Sequence, residues 1–112
     1  MMPKPPSKFC IDSFIYKEYI GEDRWSKPEY AAPALIEHCR IDRTAQYTST
    51  TAGKQLLYNA VVFCYEGITT PLPVFKNESV LVFDGQEHKA TNVIPIYEAY
   101  SAIIYSYELE VV

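Results

Sequence analysis

The side chains able to hold a metal, or to pair a nucleophile with its base, are two histidines, His38 and His88, and three cysteines, Cys10, Cys39 and Cys64. A structural zinc centre takes four such ligands, and its usual sequence mark is a closely spaced pair of cysteines. The cysteines here are odd in number and have no C-x-x-C spacing. A set of His38, Cys64 and Cys10 satisfies ligand type alone, and nothing in the spacing asks for it. Cys39 and Cys64 stand among apolar neighbours, where a thiol behaves as a small hydrophobe, so buried free thiols are expected. No nucleophile elbow, glycine-rich phosphate loop or pair of carboxylates at a strand end can be picked out. Glu37, Asp42 and Arg43 read as a solvated strand face with cross-strand ion pairs. No catalytic residue, metal or cofactor is expected, and therefore no enzyme.

The elements that position these groups are organised around Ala34 to Gly67. This stretch reads as two strands joined by a loop, Thr44 to Lys54, of Thr, Ala, Gln, Tyr, Ser, Gly and Lys. In the first strand, period-two alternation puts Leu35, Glu37, Cys39 and Ile41 on one face and Ile36, His38, Arg40 and Asp42 on the other. The second strand, Leu57 to Tyr65, is β-branched and aromatic on both faces, as a strand covered on two sides must be. A hairpin connection usually takes two to five residues, and longer ones tend to be functional. The loop residues Thr44, Ala45, Gln46, Tyr47, Thr48, Ser49, Thr50, Thr51, Ala52, Gly53 and Lys54 are the first candidates for function. The loop is expected to be disordered in the monomer and ordered where copies assemble into a ring.

Around this centre, Pro3, Pro5 and Pro6 make Met1 to Lys8 an extended arm, since proline cannot donate to a ladder. Phe9 to Ile20 reads as a strand with Phe14, Tyr16, Glu18 and Ile20 on one face. Gly21 to Tyr30 is a polar loop carrying Trp25, which reads either as a cap on one end of the core or as an interface anchor. Asp84-Gly85 between Ser79–Phe83 and Gln86–Ala90 is a type I′ hairpin signal. Thr91 to Ile96 continues as a strand, with a bulge or an edge at Pro95. The last strand alternates Ile103, Tyr105, Tyr107, Leu109 and Val111 against Ile104, Ser106, Glu108, Glu110 and Val112. The expected fold is mostly β: a small antiparallel barrel of about six strands with a long loop between two central strands, or a β-sandwich. Residues 1–8 form the arm and residues 9–112 a single β domain.

Composition narrows the partners. Hydrophobic residues are 48% and charged residues 21%, which places the chain among folded globular proteins. The net charge of −4 argues against a surface built to grip a polyanion. The ten tyrosines suit protein interfaces better than a nucleic-acid groove, because no basic run accompanies them. Pro5, Pro6, Trp25 and Tyr30 are the interface candidates. No stretch is long and apolar enough to span a membrane and the N-terminus lacks a signal-like core, so synthesis in the cytoplasm and no membrane partner are expected.

Five stretches carry a resemblance: Phe14-Ile15-Tyr16-Lys17, His38-Cys39-Arg40-Ile41-Asp42-Arg43, Tyr58-Asn59-Ala60-Val61-Val62-Phe63, Ile68-Thr69-Thr70-Pro71 and Val82-Phe83-Asp84-Gly85. Together they resemble a family of minor capsid proteins encoded by tailed phages and prophages of Gram-positive bacteria. The family looks like the head-completion stoppers, small barrels that ring the exit below the portal. The resemblance implies a virion protein, a homo-oligomeric ring, portal or adaptor and tail partners, and passing contact with packaged DNA. By length and position, Thr44 to Lys54 matches the loop that such proteins send into the channel. A tail terminator or a capsid cementing protein is the competing class, and an oligonucleotide-binding barrel a third.

Overall fold

The computed structural model of the protein describes residues 7–100 and 102–112. The expected proline-rich arm, with Pro5 and Pro6, falls almost wholly outside them. A single 3-10 turn, Ser7–Phe9, leads into ten strands: β1 (Asp12–Lys17), β2 (Tyr19–Glu22), β3 (Pro28–Tyr30), β4 (Ala34–Asp42), β5 (Gln46–Thr50), β6 (Gly53–Tyr58), β7 (Ala60–Tyr65), β8 (Val80–Phe83), β9 (Gln86–Tyr97) and β10 (Ile104–Val111). Six of them close an antiparallel barrel in the order β1-β4-β7-β10-β9-β8, with β8 returning to β1. The barrel, not the sandwich, is the architecture. Two further hairpins, β2–β3 and β5–β6, are separate two-stranded sheets. Among the described residues no helix is long and apolar enough to cross a membrane.

The barrel interior is filled by Phe14, Tyr16, Ile36, Cys39, Ile41, Val62, Cys64, Leu81, Phe83, Tyr107, Leu109 and Val111, joined by the smaller Ala60 and Ala90. Full burial of each large aliphatic or aromatic side chain among them is worth about 1.5–3 kcal/mol, which is what holds the cylinder closed. Phe75, on the connection between β7 and β8, completes the interior and is only 4% exposed. Its ring meets Tyr16 and Tyr107 edge-on, with centroids 5.1 and 5.2 Å apart. The buried Tyr16 hydroxyl lies 3.1 Å from Ser79 Oγ and accepts from the Lys76 backbone N–H at 3.0 Å. Connection and barrel are therefore joined by both apolar packing and a satisfied polar group.

Alternation along β4 differs from the sequence expectation, and the reason is local. Asp12 pairs with Cys39 and Ser13 with Glu37, which leaves His38 as an extra residue with φ of 62°. Such a bulge shifts the phase of the strand by one. Ile36, on one side of the bulge, thus shares the interior with Cys39 and Ile41 on the other, and Leu35 and Glu37 face out. Thr69 secures the bulge: its hydroxyl donates to the His38 carbonyl at 2.8 Å and accepts from Tyr65 N–H at 2.9 Å. A register shift between Ile104 and Ser106 has the same effect in β10, where half-buried Ile104 packs on the core with Tyr107, Leu109 and Val111.

Three other expectations need correction or refinement. The strand expected over Phe9 to Ile20 is broken at Glu18, and only Phe14 and Tyr16 of its apolar set reach the core, while Ile20 is exposed. Trp25 does not cap the core: it lies at the tip of the β2–β3 hairpin, 66% exposed, and the residue that closes the interior from a connection is Phe75. The Asp84-Gly85 turn, by contrast, has positive φ at both residues, 54° and 72°, and directly joins Phe83 to its partner Gln86. Pro95 lies beyond the part of β9 that pairs with β8. Two residues earlier, on the same edge, Val93 N–H donates to Asn77 Oδ1 at 2.8 Å, so proline occupies a place where an N–H would lack a strand partner.

Candidate interaction site: the hairpin arm

The segment expected to be an irregular, disordered loop is a paired hairpin. β4 and β7 run in register through Arg40↔Phe63, Ile41↔Val62 and Asp42↔Val61. After a break at Arg43 to Ala45 on one strand and at Asn59 and Ala60 on the other, pairing resumes as Gln46↔Tyr58 and continues to Thr50↔Gly53. β5 and β6 therefore prolong the β4–β7 ribbon beyond the barrel. Every residue of β5 and all of β6 except Tyr58 are exposed. Leu57 and Tyr58, read from sequence as the start of the second barrel strand, belong to this arm. The pairing needs no tertiary core because Thr and Tyr favour extended backbone, and the tip is locally satisfied. Thr50 Oγ1 donates to the Gly53 carbonyl at 2.8 Å and accepts from Ala52 N–H at 3.3 Å, while Gly53 takes a φ of 116° that few other residues adopt.

All the loop candidates fall on the arm or its root. Thr44 and Ala45 form the root, Gln46, Tyr47, Thr48, Ser49 and Thr50 form β5, Thr51 and Ala52 make the turn, and Gly53 and Lys54 open β6. Tyr47 pairs with Leu56 and Ser49 with Lys54, while Thr48 pairs with Gln55. Tyr47 is 56% exposed, and Leu56 and Leu57 are exposed too. From Thr44 to Tyr58 the only charged side chain is Lys54. The arm thus offers apolar groups and backbone edges, with almost no net charge.

Ion pairs hold the root. Arg43 binds Asp84 in the β8–β9 turn through two contacts, Nε to Oδ2 at 2.6 Å and Nη2 to Oδ1 at 3.0 Å. Its Nη2 also reaches Asp12 Oδ1 at 3.4 Å, and the other Asp12 oxygen accepts from Ile41 N–H at 3.0 Å. The hydrogen bond from Arg43 holds the Asp84 carboxyl below its ordinary range. Asp42 is lowered likewise by hydrogen bonds from Thr44, whose N–H donates to Asp42 Oδ1 at 3.1 Å. On the opposite strand, Asn59 N–H donates to the Val111 carbonyl at 2.7 Å.

The other candidates sit elsewhere. Trp25 rests against its neighbour Arg24, whose guanidinium lies 4.1 Å from the ring centre. Tyr30, half-buried in β3, meets Tyr19 edge-on at 6.1 Å. Sequence reading missed a third exposed feature, on the outer wall of the barrel. Ile15 of β1 pairs with Leu35 of β4 on one side and Val82 of β8 on the other, an apolar stripe across three strands. Alternation had put Leu35 with Cys39 because the His38 bulge has no hydrophobic mark.

Cys10, Cys39 and Cys64 are free and buried. Burial pushes the Cys64 thiol well above its usual range and raises Cys10 as well, so neither is a ready nucleophile. His88 lies flat on the Phe83 ring at 4.0 Å. Among the described residues, no three His, Cys, Asp or Glu side chains converge to hold a metal. Among the exposed apolar side chains are Tyr47, Leu56 and Leu57 on one hairpin, Ile20 and Trp25 on the other, and Ile15 and Leu35 on the outer wall.

Residues 6–111 match the family described as minor capsid protein. A relative of 23% identity over 94 residues, covering 81% of this chain and 80% of its own length, is the "Uncharacterized protein ORF5" of Lactococcus phage LL-H. No solved structure matches. With the family match running over the whole barrel and both hairpins, the chain belongs to the minor capsid proteins, structural components of the phage virion.

Proposed function

We propose that the chain is a head-completion connector subunit, assembled as a ring below the portal of a tailed phage, where it helps to retain packaged DNA and to join the tail. The observation that carries this reading is the arm: a hairpin inserted between two central barrel strands, exposed on both faces and charged only at Lys54. One domain of this size cannot occlude a channel that passes a duplex, whereas a ring of copies with inward arms can. Low charge suits that position, because a channel element past which DNA must slide gains nothing from gripping phosphates. Exposed strand edges with Tyr47, Leu56 and Leu57 provide for pairing between arms of adjacent copies. Trp25, Tyr30 and the Ile15–Leu35–Val82 stripe are the contacts available to neighbouring copies or to portal, adaptor and tail proteins.

The test is electron microscopy of particles from a phage or induced prophage lacking this gene. The expected products are finished tails separate from heads that have lost their DNA. Tails of abnormal length beside full heads would place the protein at the tail terminus instead. Complete, infectious particles would overturn the connector reading.

A further inference from the structure

We propose that Arg43 is the positioning residue of the arm: its bidentate pair with Asp84 fixes the direction in which the β5–β6 hairpin leaves the barrel. The arm has no packing core of its own, and a two-stranded hairpin in water is marginal at best. Its orientation is set where it joins the barrel. On the β6 side that junction is the Asn59 backbone bond to Val111. On the β5 side it is Arg43, at the start of the unpaired root and three residues ahead of Gln46, tied to the β8–β9 turn at 2.6 and 3.0 Å and to Asp12 at 3.4 Å. A planar guanidinium gripping a carboxylate by two parallel bonds resists rotation as well as separation, which a single contact does not. The turn residue fits the role. Asn and Asp both tolerate the positive φ found at position 84, but only Asp brings the charge that Arg43 uses. This inference concerns the isolated chain and stands whether or not the connector reading holds.

Asp84→Asn is the matching variant, since it keeps the turn and removes the charge; Arg43→Gln removes the other partner. The measurement is pulsed dipolar spectroscopy between spin labels on Thr51→Cys at the arm tip and Ser13→Cys on the barrel wall, with labelled chains diluted into unlabelled protein. The native thiols are buried, so labels go to the introduced sites. A second pair, Ser13→Cys with Asn92→Cys, reports on the barrel alone. Both variants are expected to broaden or shift the tip-to-wall distance distribution, leave the barrel pair unchanged, and speed amide exchange in the arm by about two- to fivefold, the scale of an exposed pair. An unchanged tip-to-wall distribution in both variants overturns the proposal. So does an equal change in the barrel pair, which would make Arg43 a strut of the barrel.

Discussion

Excising the arm should leave the barrel intact. The perturbation replaces Gln46 to Leu57 with Asn-Gly, so that Ala45 and Tyr58 flank a two-residue turn. That junction keeps the register of the β4–β7 ribbon, because Asp42↔Val61 continues inward from it without a slip. Two quantities decide the outcome. The arm buries almost nothing, all of β5 and β6 up to Leu57 being exposed, so little hydrophobic stabilisation is lost. Closing a loop of two residues instead of roughly twelve recovers at most about 1.6 kcal/mol, from (3/2)RT times the logarithm of the length ratio. The net expectation is a change between zero and about +1.5 kcal/mol. In a domain of this size that is a rise in Tm of at most about 10 °C. Urea unfolding followed by near-ultraviolet circular dichroism, with tyrosines in the barrel as reporters, measures it. A loss of more than about 1 kcal/mol, or a changed m-value, would show that the arm is part of the barrel's folding unit and refute the reasoning.

Three further outcomes follow from the packing. Phe75→Ala, removing a ring wedged among Phe14, Tyr16 and Tyr107, should cost about 3–5 kcal/mol in the same assay, and a loss under 1 kcal/mol would deny Phe75 its place in the core. His38→Gly should be neutral or slightly stabilising, because glycine adopts a φ of 62° freely, while His38→Val should lose about 1–2 kcal/mol. If the two variants are equal, the bulge is not where the strain lies. Acid should weaken the arm's root. The Asp84 carboxyl is depressed in the folded state, so its contribution is present above the ordinary aspartate value of 3.8 and disappears as pH falls through the lower folded value. Asp84→Asn should therefore flatten the acid limb of a stability-against-pH curve measured at low salt, and an unchanged limb would contradict the pairing.

The sequence was most legible where local chemistry fixes the backbone. Asp84-Gly85 needs two positive φ values that few residue pairs supply, and the hairpin stands there. The barrel itself was readable from several β-branched and aromatic runs separated by turns. Alternation failed wherever a bulge intervened: His38 adopts a left-handed conformation with no glycine to announce it, and its support, Thr69, is 31 residues away. The arm was read as irregular for a related reason. A strand with both faces in solvent has no hydrophobic period to display, so only the β-favouring Thr and Tyr residues and Gly53 after the Thr51-Ala52 turn marked the pairing. Of the two readings of Trp25, the core cap fails, since a hairpin tip held by the Asp23 side chain can carry a large aromatic in solvent. The Arg43–Asp84 clamp joins residues 41 apart and left no local mark.

The most direct test of the arm's role is to supply the arm-excised chain to a phage lacking the gene and to image the particles. The barrel should fold and enter the virion, detectable in purified particles by mass spectrometry, while the heads fail to hold their DNA. Full, infectious particles carrying the arm-excised chain would contradict the account, because the hairpin on which it rests would then be dispensable.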